Sequence, residues 1–235
     1  MMRLKEFLTI SIVVFGICFS VPAQASVMMS EIFADPGAGL TGDANNDGIR
    51  STADDEFIEI LNYNDSPADI SGWSLADNGS TRHVFPSDTI LSPYTFLVIF
   101  GGGEPQLADV NWQAASTGAL SLNNTEETVS LFDADFQLID RVVYGSIAGN
   151  DQSIVRFPDG VGTEFVLHSS LEGAGGALFS PGTNISGERS LAIVHEEDPT
   201  QDEGFPSNPV VPELPAFVYF GAGWASLLLK RMKNS

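Results

Sequence analysis

The sequence predicts an all-β protein built as a sandwich of two antiparallel sheets. Short runs rich in aliphatic and aromatic residues recur through the middle of the chain, each bounded by Gly, Pro, Asn or Asp turn signals. No eleven-residue window between residues 26 and 210 shows good helical periodicity. That stretch of 185 residues suits one domain with a tail.

The expected strands follow in order. Residues 27–33 (VMMSEIF), 56–61 (EFIEIL), 73–75, 82–85 and 95–100 (TFLVIF) come first. Residues 120–122, 128–132, 137–144 and 153–156 continue the pattern. Ser71-Gly72, Asp77-Asn78-Gly79, Ser92-Pro93, Gly101-Gly102-Gly103, Asp133-Ala134-Asp135 and Pro158-Asp159-Gly160 separate them. Such spacing fits sheets packed face to face. Trp73 is expected to fill the gap between them, since its large apolar area would dominate a small core. Trp112 falls in a loop-like stretch. Residues 171–179 (LEGAGGALF) either close the domain edge or stay unfolded.

Several of these runs carry a family likeness. Ser30-Glu31-Ile32-Phe33-Ala34-Asp35-Pro36, Asp55–Asn62 and above all Asp69-Ile70-Ser71-Gly72-Trp73-Ser74-Leu75-Ala76-Asp77 are its most specific parts. Phe85-Pro86, Ile90-Leu91-Ser92-Pro93, Phe96-Leu97-Val98-Ile99, Leu120-Ser121-Leu122-Asn123-Asn124, Val129-Ser130-Leu131-Phe132-Asp133, Ile139-Asp140-Arg141-Val142-Val143-Tyr144 and Ser180-Pro181-Gly182-Thr183 extend it over most of residues 27–187. In these the chain resembles the lamin-tail domain, found in nuclear lamins and in many exported bacterial proteins. The resemblance implies an immunoglobulin-like sandwich over residues 26–190. It implies no intermediate filament, because no coiled-coil rod is present.

The two ends read as targeting segments. Arg3 and Lys5 precede an apolar run and Ala23-Gln24-Ala25, a small-x-small cleavage site, so residues 1–25 are expected to be a signal peptide. An uncleaved membrane anchor is the alternative. Cleavage removes Cys18 and leaves a chain without disulfides. Residues 191–210 form an acidic, Pro-rich linker. In residues 211–235 an apolar run of 13 residues, 217–229, ends in Lys230, Arg231 and Lys233. A comfortable span needs about 20. A marginal transmembrane helix or a buried C-terminal helix are the two structural options. Val211-Pro212-Glu213 before that run is similar to the bacterial PEP-CTERM type of sorting signal, with Leu214 where the family has proline. The likeness implies export through a membrane-bound processing enzyme, membrane contact at least transiently, and a destination in the cell envelope or extracellular matrix of a Gram-negative bacterium.

Between residues 26 and 210 five arginines face 29 carboxylates, a net charge of −24. Such a surface repels nucleic acid and anionic lipid and favours divalent cations or basic partners. One loop is suited to a cation. Asp43-Ala44-Asn45-Asn46-Asp47-Gly48 matches the first six positions of an EF-hand loop, where side chains one, three and five converge and glycine at six allows the reversal. Ile49 would offer its carbonyl at position seven and Ser51 would hold a water at nine. Asp54 stands at twelve, one methylene short of the expected glutamate, so Asp55 or Glu56 would supply the missing reach, with Asp35 as a further candidate. The expected cofactor is a structural Ca²⁺. A solvated Asn-rich turn is the alternative.

Catalytic motifs are missing. His83, His168 and His195 show no metal-protease spacing, and no nucleophile elbow or phosphate loop occurs. His83 reads as a sheet-face residue, whereas His168 and His195 read as exposed. Glu31 and Glu59 interrupt apolar strands and are expected to orient the calcium loop or to accept backbone hydrogen bonds rather than to act in catalysis. The expectation is a non-enzymatic scaffolding or adhesion module whose partner is an envelope or matrix protein or a polysaccharide. A carbohydrate-binding or hydrolase-accessory module is the second reading, and exposed aromatics gathered near Trp112 would favour it.

Overall fold

A computed structural model describes residues 27–190. The expected signal peptide (1–25), acidic linker (191–210) and C-terminal sorting segment (211–235) lie outside the described residues. Twelve strands are present among the latter: β1 (Val27–Phe33), β2 (Phe57–Asn62), β3 (Ala68–Asp69), β4 (Ser74–Asp77), β5 (Ser80–Val84), β6 (Ile90–Leu91), β7 (Phe96–Phe100), β8 (Trp112–Ala114), β9 (Glu127–Phe132), β10 (Leu138–Tyr144), β11 (Ile154–Phe157) and β12 (Glu164–Leu167). Three short 3₁₀ turns complete the set, and no α-helix occurs among the described residues. No helix there is long and apolar enough to cross a membrane.

Two sheets form the sandwich. The larger has the order β12-β11-β1-β2-β7-β8, the smaller β10-β9-β4-β5, and β3 and β6 make a separate pair. All pairings are antiparallel except β7 with β8. That parallel edge strand departs from the expected all-antiparallel arrangement. The eleven residues between Phe100 and Trp112 give the chain room to cross over rather than turn back.

Period-two alternation fixes which side chains go inward, and in β1 a bulge between Met29 and Glu31 shifts its phase by one residue. In β1 and β2, Met29, Ile32, Ile58 and Ile60 face the smaller sheet and meet Leu75, Val129, Leu131 and Ile99 in the main core. Phe33, Phe57, Val98 and Phe100 form a second cluster with Ala44, against which Leu107, Val110 and Phe179 pack. The larger sheet is thus covered on both faces, which explains why β2 and β7 are buried at every position.

Three expectations change. Trp73 is only half-buried and packs against the main core from its rim, while Phe85 is fully buried. The expected strand at 120–122 does not form. Leu120 and Leu122 are buried, but Ser121 takes a left-handed φ of 57°, and the Leu122 N–H donates to the Glu56 carboxylate at 3.1 Å instead of to a ladder. His168 is buried rather than exposed, with Nδ1 2.9 Å from the Ala177 carbonyl. His83 is also buried; its Nε2 lies 2.8 Å from Gln113 Oε1.

Candidate metal site

The connection between β1 and β2 is a long loop folded back on itself. Arg50 closes its base by donating from Nε to the Gly37 carbonyl at 2.8 Å and from Nη2 to the Pro36 carbonyl. Within it, Asp43 Oδ1 and Asn45 Oδ1 both accept from the Asp47 N–H, at 3.2 and 3.0 Å. Two side-chain oxygens therefore converge on one nitrogen. Asp43 Oδ2 accepts from the Gly48 N–H at 2.9 Å, and Asp47 Oδ1 from the Ile49 N–H at 2.8 Å. Asn46 and Gly48 adopt φ values of 57° and 86°, the left-handed region that turns the chain around these side chains.

Asp43 and Asn45 thus meet on the Asp47 backbone N–H, while the Asp47 carboxylate turns to the Ile49 and Glu104 N–H groups. Ile49 donates its N–H to Asp47, and its side chain is exposed. Ser51 is turned to the loop, its Oγ accepting from the Asp54 N–H at 3.1 Å. Asp54 lies against Gly102. Asp55 is buried, and both its oxygens are spent: Oδ1 accepts from the Asn45 N–H at 3.1 Å and Oδ2 from the Ser51 N–H at 2.7 Å. Burial pushes its carboxyl above the usual range, opposed by these two amides, and the nearby Asp43 charge adds to the rise. Asp55 is a clamp on the loop backbone. Glu56 points toward Leu122, and Asp35 accepts from Asn124 Nδ2 at 2.6 Å, so neither reaches the loop centre. Among the described residues no three carboxylate or imidazole groups are close enough to hold a metal alone. An ion here would draw on the Asn45 amide, backbone carbonyls and water as well.

The second wall comes from a segment first read only as a turn. The Gln106 N–H donates to the Asn45 carbonyl at 2.8 Å, Asn46 Nδ2 to the Gln106 carbonyl at 3.2 Å, and the Glu104 N–H lies 3.4 Å from Asp47 Oδ2. A β-carbon at Gly103 would overlap Asn45 Nδ2 and stand 2.9 Å from Asp47 Oδ2 and 3.4 Å from Asp54 Cβ. One at Gly102 would overlap Asp54 Oδ1. The glycine run is therefore needed for close approach, with Asn45, Asp47 and Asp54 arrayed around it. Asn45 is wholly buried, and its Nδ2 has no hydrogen-bond partner.

Fold and loop together define a β-sandwich module with an acidic, glycine-walled loop at one end. The family model for the lamin tail domain matches residues 20–146, more than half of the chain, and the chain belongs to that family. The match ends before β11 and β12, yet β11 pairs directly with β1, so these later strands complete the larger sheet. No curated protein matches the chain.

Proposed function

We propose that this chain is a non-enzymatic, exported module of the cell envelope or extracellular matrix, in which Ca²⁺ bound by the β1–β2 loop acts as a structural ion. The carrying observation is Asn45. Its Oδ1 sits beside Asp43 Oδ1 on the same amide, while Nδ2 is buried without a partner. Leaving such a group unsatisfied costs about 1–3 kcal/mol. The side-chain oxygens of Asp43, Asn45, Asp47 and Asp54 would ligate the cation, and a water held in the same loop would accept from that N–H. Hard oxygen donors and loose geometry suit calcium, and weak affinity suffices outside the cell.

The role assigned is scaffolding or adhesion, with an envelope or matrix protein or a polysaccharide as partner and with export and sorting machinery acting on the ends. The −24 charge between residues 26 and 210 argues against direct contact with nucleic acid. Calcium titration of the metal-stripped protein by calorimetry tests the reading. Saturable one-site binding with a raised melting temperature supports it; no heat and no stabilisation would reduce the loop to a solvated turn.

One observation speaks for the carbohydrate-accessory reading. Trp112 is 39 % exposed on edge strand β8, beside a groove lined by Pro86, Asp88, Ile90 and Asn111. The other exposed aromatics, Tyr63, Phe136 and Phe157, do not line that groove. This favours the structural role.

A further inference from the structure

After β12 the chain turns back and crosses the outer face of the larger sheet. What holds residues 177–190 there is almost entirely side-chain chemistry. The Ala177 carbonyl accepts from His168 Nδ1 at 2.9 Å. Ser180 donates its N–H to Glu31 Oε1 at 2.9 Å and its hydroxyl to Oε2 at 2.8 Å. The Gly182 N–H donates to Glu59 Oε2 at 2.7 Å, and the Ile185 N–H to Asp159 Oδ2 at 2.9 Å. Arg189 pairs with Asp109 at 3.0 Å. Backbone ties to the sheets are few: the Leu178 carbonyl to the Ser153 N–H, and a bridge between Ser190 and Thr95. Nearly every anchor is an ionisable group.

Glu31 and Glu59 are the central anchors. They are direct cross-strand partners on β1 and β2, each 1 % exposed. Ser153 Oγ, just before β11, also donates to Glu31 at 2.6 Å, and Ser30 Oγ on β1 to Glu59 at 2.6 Å. From β7 the residue opposite Glu59 is the apolar Val98. The third charge that reaches both carboxyls is Asp159, and it too is acidic. His168 acts on Asp159. No arginine hydrogen-bonds to either glutamate among the described residues: Arg156 turns to the Met29 carbonyl and Asp140, and Arg189 to Asp109. Two adjacent buried carboxylates without a cation cannot both ionise cheaply.

We propose that residues 177–190 form a proton-controlled strap: the Glu31–Glu59 pair holds them against the sheet while it retains a proton, and its full ionisation frees them. Burial and the mutual charge set the range. Burial pushes Glu31 up to about 7 against the opposing Ser153 and Ser180 donors, and burial together with the Glu31 charge holds Glu59 well above its ordinary value against those of Ser30 and Gly182. An acid whose folded value is raised stabilises the closed form below its ordinary value, and that contribution is lost as pH rises through the raised one. Burial holds His168 below its usual range, so it stays neutral through this window. The strap can open without breaking the ladders, because it belongs to none of the named strands. Opening lifts Phe179 from Phe33, now 5.0 Å apart between ring centroids, and uncovers the cluster containing Phe57 and Phe100. It also lengthens the tether between the sandwich and whatever follows residue 190. The inference does not depend on the ion.

Hydrogen exchange of the full chain, read at single amides and corrected for intrinsic rate, tests it between pH 6 and 9. Protection of the Ser180 and Gly182 amides is expected to fall at least tenfold further than that of Ile99 in β7, whose protection follows the stability of the whole domain. Glu59→Gln should flatten the fall, and Glu31→Gln serves the same purpose if the first variant does not fold. Strap amides that track Ile99 at every pH overturn the proposal from the wild-type protein alone. So does a folded Gln variant that keeps the full pH dependence.

Discussion

Asp140 on β10 and Arg156 on β11 tie the two sheets together at the open side of the sandwich, with Nη2 and Oδ2 2.6 Å apart. The same Oδ2 accepts from the Met29 N–H at 2.8 Å, and Arg156 Nε donates to the Met29 carbonyl at 2.7 Å. Both strands are irregular here: the ladder shifts register between Met29 and Glu31 in β1 and between Leu138 and Asp140 in β10. The bulges free backbone groups that the ion pair then satisfies.

Removing the carboxylate should therefore cost more than a surface pair does. Asp140 is 17 % and Arg156 10 % exposed in their side chains, so some screening by water remains. Asp140→Ala leaves the Met29 N–H and a largely buried guanidinium without their acceptor. A loss of about 2–4 kcal/mol is expected from urea unfolding. A change under about 1 kcal/mol would mean that the bridge contributes nothing beyond geometry.

Gly103 offers a test of the loop that leaves every candidate ligand in place. Its φ is 76°, and a β-carbon would collide with Asn45. Gly103→Ala should lower stability by about 1–3 kcal/mol. It should also diminish the fall in melting temperature that chelation is expected to cause in the parent, roughly 5–10 °C at saturating calcium. Asp43→Ala with Asp47→Ala should abolish that fall altogether. Chelation that acts equally on parent and variants would place the ion elsewhere.

The aromatic residues can be ranked by burial. Phe57 is fully buried and sits 5.6 Å from Phe33 and 5.7 Å from Phe100 between ring centroids. Phe57→Ala should destabilise by about 3–5 kcal/mol. Trp73, held at the rim, should cost only about 1–2 kcal/mol on replacement by Ala, in proportion to the smaller area it removes from water. Equal losses at the two positions would show that Trp73 is part of the core.

These contrasts mark what the sequence could convey. β1 and β7 were legible almost to the residue, because continuous apolar runs bounded by turns have few other solutions. The two-residue strands β3 and β6 and the edge strand β8 were not, since their pairing is decided by neighbours brought in from afar. At the loop, the spacing of Asp43, Asn45 and Asp47 conveyed that the chain turns around these side chains. The part of Gly102 and Gly103 was not legible, because only the fold shows that residues 101–106 return to the same place. The two strand glutamates were recognised as backbone acceptors, but their donors, Ser180 and Gly182, lie more than 120 residues away in sequence.

Stability as a whole should decline toward alkaline pH. Burial pushes Glu56 up to about 7, opposed by the Leu122 and Ser121 amides, while the Asp77 charge adds to the rise. Burial also raises Glu127 and Asp159. Each of these acids keeps its proton in the fold at a pH where the unfolded chain has released it. For Glu56 the contribution is complete below the ordinary glutamate value of 4.5 and is lost as pH climbs through about 7, and Glu127 and Asp159 act in the same direction. His83 and His168 work in the opposite sense. Burial lowers both below 6.5, so their contribution is present above that value and is lost as pH falls through the lowered ones. The net charge of −24 between residues 26 and 210 adds self-repulsion as the last carboxyls ionise. The urea midpoint should thus be highest at mildly acidic pH and fall by the equivalent of about 2–4 kcal/mol between pH 5 and 8. Glu56→Gln should reduce that fall, since the amide carries no charge to bury. A midpoint that rises over this range would mean that the buried acids are ionised in the folded protein and held by their amide donors alone.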